Sequence, residues 1–181
     1  MGKITFRLLE EIDFNKMHIW MNTDFVIEWY GKTPVTIEDI RNKYMPYITG
    51  EKPTKAYIII INNVDVGYIQ TYLINDYPEY NKYVKTDEYA AGVDLFIGHR
   101  DYIHKGYGVL IMEQFLKDHV FSNIQVNKCI IGPEPKNLSA IRMYEKSGFK
   151  WYKNIQIPDE DEPEYLMILL RKDFSSYTEL I

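Results

Sequence analysis

The sequence predicts a mixed α/β fold, with strands and helices interspersed along one chain. Three stretches carry that reading. Tyr57-Ile58-Ile59-Ile60-Ile61 is rich in β-branched residues and has the length of a buried strand. In Ala91-Gly92-Val93-Asp94-Leu95-Phe96-Ile97-Gly98, the apolar Val93, Leu95 and Ile97 alternate with Asp94 and Phe96, as in a strand with one face on a core. Gly106-Tyr107-Gly108 then opens a run whose Leu110, Ile111, Phe115 and Leu116 make the broad apolar face of a helix. The 181 residues suffice for one full core, and no repeat or linker divides them, so residues 1–181 read as a single domain.

In chain order, residues 4–9 form a first strand. Asp13 is placed to cap a helix carrying Phe14, Met17, Ile19, Trp20 and Met21. Residues 22–31 are a short helical or turning segment, stopped by Pro34. Thr36, followed three residues on by Asp39, makes a capping box for a helix towards Tyr47, which Gly50 and Pro53 break. Residues 56–61 and 65–74 are strands joined tightly at Asn62-Asn63. Residues 76–87 mix Tyr77, Tyr80 and Tyr83 with charges and Pro78, and are expected to form a loop. Residues 88–97 are the Asp94 strand, residues 107–123 the apolar helix and residues 128–131 a short strand. After Gly132-Pro133-Glu134-Pro135, Asn137 caps a helix through Leu138, Ile141 and Tyr144. Gly148 suits its left-handed end, with Phe149 packing back. Strands at residues 149–157 and 164–170 follow, separated by the acidic loop Asp159-Glu160-Asp161-Glu162-Pro163.

Composition narrows the function. A net charge of −5 argues against nucleic acid as the main partner and agrees with a cationic one. No run approaches the roughly eighteen apolar residues of a membrane span. The first residues lack an apolar signal region, and Phe6 stands where a myristoylation signal needs Ser or Thr. A single cysteine, Cys129, excludes an internal disulfide framework and suits a reducing compartment; in its apolar strand it reads as an inert buried thiol. A soluble, cytoplasmic protein is expected. His18, His99, His104 and His119 show no metal-ligand spacing, so no metal is expected.

Two features carry chemistry. A carboxylate in mid-strand, as at Asp94, is expensive unless it meets water, a partner or a substrate. Two glycines at a helix start let a ligand approach the backbone, and the free N–H groups there suit a phosphate. The turn is not a Walker loop, since no Gly-Lys-Ser/Thr follows. Nor is it a dinucleotide fingerprint, since Ile111 stands where the third glycine belongs.

Lys105-Gly106-Tyr107-Gly108 before a helix, together with Asn137-Leu138-Ser139-Ala140-Ile141-Arg142-Met143-Tyr144-Glu145-Lys146-Ser147-Gly148-Phe149, resembles the GNAT superfamily of N-acetyltransferases. The element order fits along nearly the whole chain. Within that superfamily, residues 92–98 look like the strand of aminoglycoside 6′-N-acetyltransferases. Lys85-Thr86-Asp87-Glu88 is similar to the same group, in particular the acetyltransferase half of the bifunctional aminoglycoside-modifying enzyme. The resemblance implies a central, mostly antiparallel twisted sheet of about seven strands flanked by helices. It implies acetyl-CoA as donor, with the pyrophosphate on the N–H groups of Lys105, Gly106, Tyr107, Gly108 and Val109. Phe96 and Ile97 would also meet the cofactor, and Asn137 its pantetheine arm. The acceptor implied is a primary amine, the 6′-amino group, of an aminoglycoside-like polycation. Two positions depart from the pattern. Ile103 stands where Gln or Arg is frequent. Gly132 stands where the subgroup usually has an Asp that helps hold the cation, a task then left to Glu134 or Asp161.

The acceptor amine must be neutral to attack a thioester, yet with a pKa near 10 only about one molecule in a thousand is neutral at pH 7. Asp94 is the candidate base or electrostatic anchor; its structural alternative is a pair with a nearby Lys or Arg. Tyr144 is the candidate acid for the departing thiolate; its alternative is a core tyrosine. Trp29, Tyr30, Tyr72, Tyr80 and Tyr83 either line an acceptor cleft or simply pack. Rival functions are an acyltransferase for a polyamine or a siderophore hydroxylysine, and a non-catalytic acyl-CoA sensor, which would need neither Asp94 nor Tyr144. Either a monomer or a homodimer is expected.

Overall fold

A computed structural model of the chain describes residues 2–86, 89–158 and 160–178. Seven strands form one sheet in the order β1-β2-β3-β4-β5-β7-β6. They are β1 (Ile4–Leu8), β2 (Lys55–Ile61), β3 (Val64–Leu73), β4 (Ala90–Ile97), β5 (Lys128–Ile131), β6 (Lys150–Ile155) and β7 (Glu164–Leu170). Among the described pairings β1–β2, β2–β3, β5–β7 and β6–β7 are antiparallel, and β4–β5 is parallel. The β4–β5 register covers only Ala90↔Lys128 to Gly92↔Ile130, while β4 runs on to Ile97. The helices are α1 (Phe14–Met21), α2 (Asp24–Ile27), α3 (Ile37–Ile48), α4 (Pro78–Val84), α5 (Tyr107–Phe115), α6 (Leu138–Lys146) and α7 (Arg171–Thr178).

The chain divides into two compact units, each built from two segments: Met1–Thr71 with Asp94–Ile111, and Tyr72–Val93 with Met112–Ile181. In the first, α1 and α3 bury Phe14, Met17, Trp20, Ile40 and Tyr44 with Ile58, Tyr68 and Phe96 of the strands. The β2–β3 hairpin turns on Asn62 and Asn63, both left-handed at φ 50° and 64°, the geometry of a two-residue hairpin whose twist matches its strands. In the second unit, Ile74, Val84, Ala90, Ile130, Ile155 and Leu166 form the buried cluster, with Tyr72, Tyr80 and Tyr83 packed against it.

Several elements differ from expectation, each for a local reason. The stretch expected as a loop over 76–87 holds a helix instead: α4 starts on Pro78, whose fixed φ suits a first helical turn, buries Val84 and stops on left-handed Lys85. Asp13 does not cap α1. Its carboxylate accepts the Glu10 N–H and two bonds of 2.6 Å from the Arg7 guanidinium, which a charged partner wins over a neutral cap. The apolar helix leaves α geometry at Phe115 and continues as a π-helical turn, Leu116–Val120, closed by the Phe121 N–H to the Leu116 carbonyl at 2.7 Å. The polar α7 was not foreseen. Arg171 anchors it by donating to the carbonyls of Phe121, Val126 and Asn123, and Phe174 packs on Phe121 with ring centroids 5.1 Å apart.

Candidate active site

Asp94 lies half-buried in mid-β4. Its face does not open simply to water. Phe96, two residues on, is buried among Trp20, Tyr30 and Tyr68 at centroid distances of 6.4, 5.0 and 5.6 Å. The expected single apolar row is therefore a strand covered on both faces, and the Phe96 side chain belongs to an aromatic core. Only the backbone of Phe96 is left to serve a cofactor. On β3, alternation puts Tyr68 and Gln70 on one face. Tyr68 Oη donates to Gln70 Oε1 at 2.5 Å, and Gln70 Nε2 donates to Asp94 Oδ2 at 2.7 Å. The tyrosine thereby fixes which way the amide points, and the amide fixes the carboxylate.

The charge of Asp94 is felt around it. Burial, then Tyr44, Tyr68 and Asp94, push the Tyr30 phenol well above its ordinary range. The Tyr44 phenol is raised chiefly by burial as well. A cation also feels the charge of Asp94, namely Lys43. The residue is exposed, and its ammonium sits over the Tyr30 and Tyr44 rings at 5.1 and 5.4 Å. Burial lowers its pKa and the Asp94 charge opposes that. Trp29 is half-buried and carries Lys32 over its ring at 5.8 Å.

The glycine turn suits an anion. His104 and Gly106 are left-handed at φ 56° and 82°, and α5 begins at Tyr107. A Cβ on Gly106 would meet nothing within 4 Å, so the glycine is required by its φ and not by crowding. Lys105 and Gly106 are exposed. The first-turn N–H groups that follow, at Tyr107, Gly108 and Val109, have no acceptor within their own helix and suit a pyrophosphate.

In the second unit, Asn137 caps α6, its Oδ1 accepting the Ala140 N–H at 3.0 Å. That bond engages the side-chain oxygen in the cap. The helix ends in a Schellman motif: Gly148, at φ 91°, donates to the Glu145 carbonyl and Phe149 to that of Tyr144, both at 3.0 Å. Tyr144 is 6% exposed, its ring 5.9 Å from Phe149, so it also serves as the apolar contact of that motif. The Glu134 carbonyl accepts the Asn137 N–H at 2.9 Å. Asp161 is exposed, and Glu162 of the same loop is tied to Lys136. Asp87, Glu88 and Asp159 lie outside the described residues. Tyr72 lies across Gly92, where a Cβ would stand 2.5 Å from its ring, and meets Tyr77 edge-on at 5.0 Å. Tyr83 packs on the apolar cluster.

The acetyltransferase (GNAT) domain family matches residues 10–157. The chain belongs to the GNAT acetyltransferase family. It is an N-acetyltransferase, and its donor is acetyl-CoA. This GNAT chain is 29% identical over 173 residues to an aminoglycoside N(6′)-acetyltransferase type 1 from Klebsiella pneumoniae, covering 94% of itself and 85% of that protein. A kanamycin resistance protein from Rhizobium radiobacter is 32% identical over 90 residues, 50% of this chain and 81% of its own. The crystal structure of the aminoglycoside acetyltransferase AAC(6′)-Ib with coenzyme A and kanamycin matches at a TM-score of 0.84 and 28% identity, covering 97% of this chain and 99% of that one. A spermidine N-acetyltransferase from Vibrio cholerae, at 17% identity and a TM-score of 0.74, shares the fold.

Of the residues singled out in the sequence, the GNAT fold gathers Asp94 and Tyr30 in the first unit, and Tyr72 and Tyr83 at the apolar cluster of the second. Sequence reasoning missed Tyr68, Gln70 and Lys43. The signal for the first two was present: i, i+2 spacing on β3 places one behind the other on a single face. Lys43 gave no such signal, because its neighbour Asp94 is distant in sequence.

Proposed function

We propose that this enzyme transfers the acetyl group of acetyl-CoA to the 6′-amine of an aminoglycoside-like polycation. The observation that carries this is the half-buried Asp94, oriented by Gln70 at 2.7 Å beside the Tyr30, Tyr44 and Tyr68 rings. A carboxylate with aromatic neighbours suits an ammonium, through charge and ring faces together. The names of the similar proteins support the same substrate class. The donor supplies a thioester carbonyl, its pyrophosphate on the N–H groups from Lys105 to Val109 and its pantetheine arm near Asn137. Asp94 holds the acceptor and takes its proton. An ordinary carboxylate deprotonates a free ammonium poorly, but the nitrogen is far more acidic once it has bonded to the carbonyl carbon. The carbon–sulfur bond breaks, and Tyr144 gives its phenolic proton to the thiolate. Glu134 and Asp161 take further ammonium groups, with Trp29, Tyr72 and Tyr83 as apolar walls. The reading sets the enzyme in the cytoplasm, as a monomer or homodimer; no helix among the described residues is long and apolar enough to cross a membrane.

The test is thiol release from acetyl-CoA against a panel of aminoglycosides, linear polyamines and hydroxylysine derivatives. Kanamycin is expected to be acetylated at its 6′-amine. Turnover of a polyamine alone would replace the substrate and leave the chemistry, and thiol release with no acceptor in the panel would defeat the amine-acetylation reading.

A further inference from the structure

Lys43 of α3 stands on the same cluster of rings as Asp94, within one compact unit. Its ammonium lies 5.1 Å from the centre of the Tyr30 ring and 5.4 Å from that of Tyr44. The Tyr30 ring meets Phe96 at 5.0 Å, and the Tyr44 ring meets Tyr68 at 5.2 Å. Phe96 follows Asp94 by two residues on β4, so the two share a face of the strand. Tyr68 is tied to Asp94 through Gln70. The charge of Asp94 reaches the Lys43 ammonium across this cluster. The rings themselves are fixed. Tyr44 is fully buried, shares a hydrogen bond with Tyr30, and donates to Met21 Sδ at 3.5 Å. The lysine is the exposed member of the group, and a cation on exposed ring faces is held weakly.

A lysine on a flexible four-carbon stem can leave such a platform, while the rings stay. The proposed acceptor brings its reacting ammonium to the same carboxylate and the same rings. Two cations on one pair of ring faces repel each other. We infer that Lys43 is a specificity-determining residue of the acceptor site: its ammonium holds the place of the reacting ammonium over Tyr30 and Tyr44, and a cationic acceptor binds by displacing it into water. In the empty site Lys43 gives Asp94 a positive neighbour. Transfer turns the acceptor nitrogen into a neutral amide, so the returning lysine favours release of the product. An acceptor analogue with a hydroxyl in place of the reacting amine brings no charge there and leaves Lys43 where it is. This rests on the amine-acceptor reading above and adds a resident competitor to it.

The experiment is calorimetry of kanamycin, and of its analogue with a hydroxyl at the 6′ carbon, on wild type, Lys43→Met and Lys43→Arg. Coenzyme A is present in place of acetyl-CoA, so nothing is acetylated. Lys43→Met keeps a long flexible stem and removes the charge. Its Kd for kanamycin should fall about fivefold, the scale of one or two weak cation–ring contacts, with the Kd for the hydroxyl analogue within about twofold of wild type. Lys43→Arg keeps a cation that can sit over the rings and should bind both ligands like wild type. A second measurement needs no variant in the sample. In the NMR spectrum of wild type, the ε-methylene protons of Lys43 should be shifted upfield by the rings, and should move towards the position of an exposed lysine when kanamycin saturates the site. An unchanged or weaker affinity for kanamycin in Lys43→Met overturns the inference. So does an equal gain for both ligands, or a Lys43 signal that stays upfield with kanamycin bound. Each of these leaves the aminoglycoside reading standing, because kanamycin still binds. If wild type neither binds nor acetylates kanamycin, the aminoglycoside reading fails first and this inference with it.

Discussion

In the proposed mechanism Asp94 and Tyr144 divide the chemistry, and their surroundings make their substitutions informative in different ways. Asp94→Asn keeps the shape and still offers Gln70 an oxygen to meet at 2.7 Å, so the loss isolates charge and basicity. As a base, Asp94 supports a kcat that should fall about a hundredfold or more, and recover in part at high pH where free amine is abundant. A change confined to KM, steeper at low salt, would make it an anchor instead. The same variant removes the charge that opposes the lowering of the Lys43 pKa, so Lys43 should titrate lower still. Tyr144→Phe keeps the ring that packs on Phe149 and removes only the hydroxyl. Turnover should fall with the acetyl-CoA KM nearly unchanged. A variant with full turnover and an earlier melt would leave Tyr144 its part in the Schellman motif alone.

At the scale of elements, the proposed mechanism puts the donor on the glycine turn and α5. Gly108→Asp adds a negative side chain in the first turn of α5, where a pyrophosphate would lie. Calorimetry should find affinity for coenzyme A reduced by about tenfold or more while the fold persists. Unchanged affinity in a folded variant would move the donor elsewhere. Features set by a few adjacent residues were legible in the sequence. The capping box of Thr36 and Asp39, the Asn62-Asn63 hairpin, and the Asn137 cap with left-handed Gly148 all occur as read. Elements that depend on distant partners were not. The α4 sequence is too polar to announce a helix, and α7 is held by Arg171 reaching carbonyls some fifty positions back. The Asp13 cap failed because Arg7, six positions back in β1, competes for it. In the site, Asp94 was readable because a charge stood out in a strand. Gln70 was not, since an uncharged amide acquires meaning only when strands pair.

Across the molecule, pH acts through such ties. Arg7 links Asp13 to Asp65: Nη1 and Nη2 both donate to Asp13, Nη2 also donates to Asp65 at 3.0 Å, and Lys16 holds Asp65 as well. Burial works to raise the Asp65 carboxyl, but hydrogen bonds from Lys16 and Arg7 outweigh it and leave the pKa below its ordinary value. A carboxylate depressed in the folded state stabilises the fold above its unfolded pKa, near 4, and that contribution is lost as pH falls through the lowered value. The melting midpoint of Asp65→Asn should therefore lie below wild type at neutral pH, and the gap should close in acid. A gap that stays constant from neutral to acid pH would show that the ion pairs contribute nothing.

The two-segment make-up of each unit has a consequence for how the protein is made. A ribosome delivers Tyr68 and Gln70 well before Asp94, with residues 72–93 of the other unit in between. Until Asp94 has been made, the amide that will orient the carboxylate lacks that partner. Unit 1 becomes complete when residue 111 has emerged, and by then the strand residues 90–93 are still waiting for β5. Neither unit exists as a contiguous stretch that could be translated, cut out or folded alone, so the nascent chain gains its acetyl-transfer machinery late and nearly all at once.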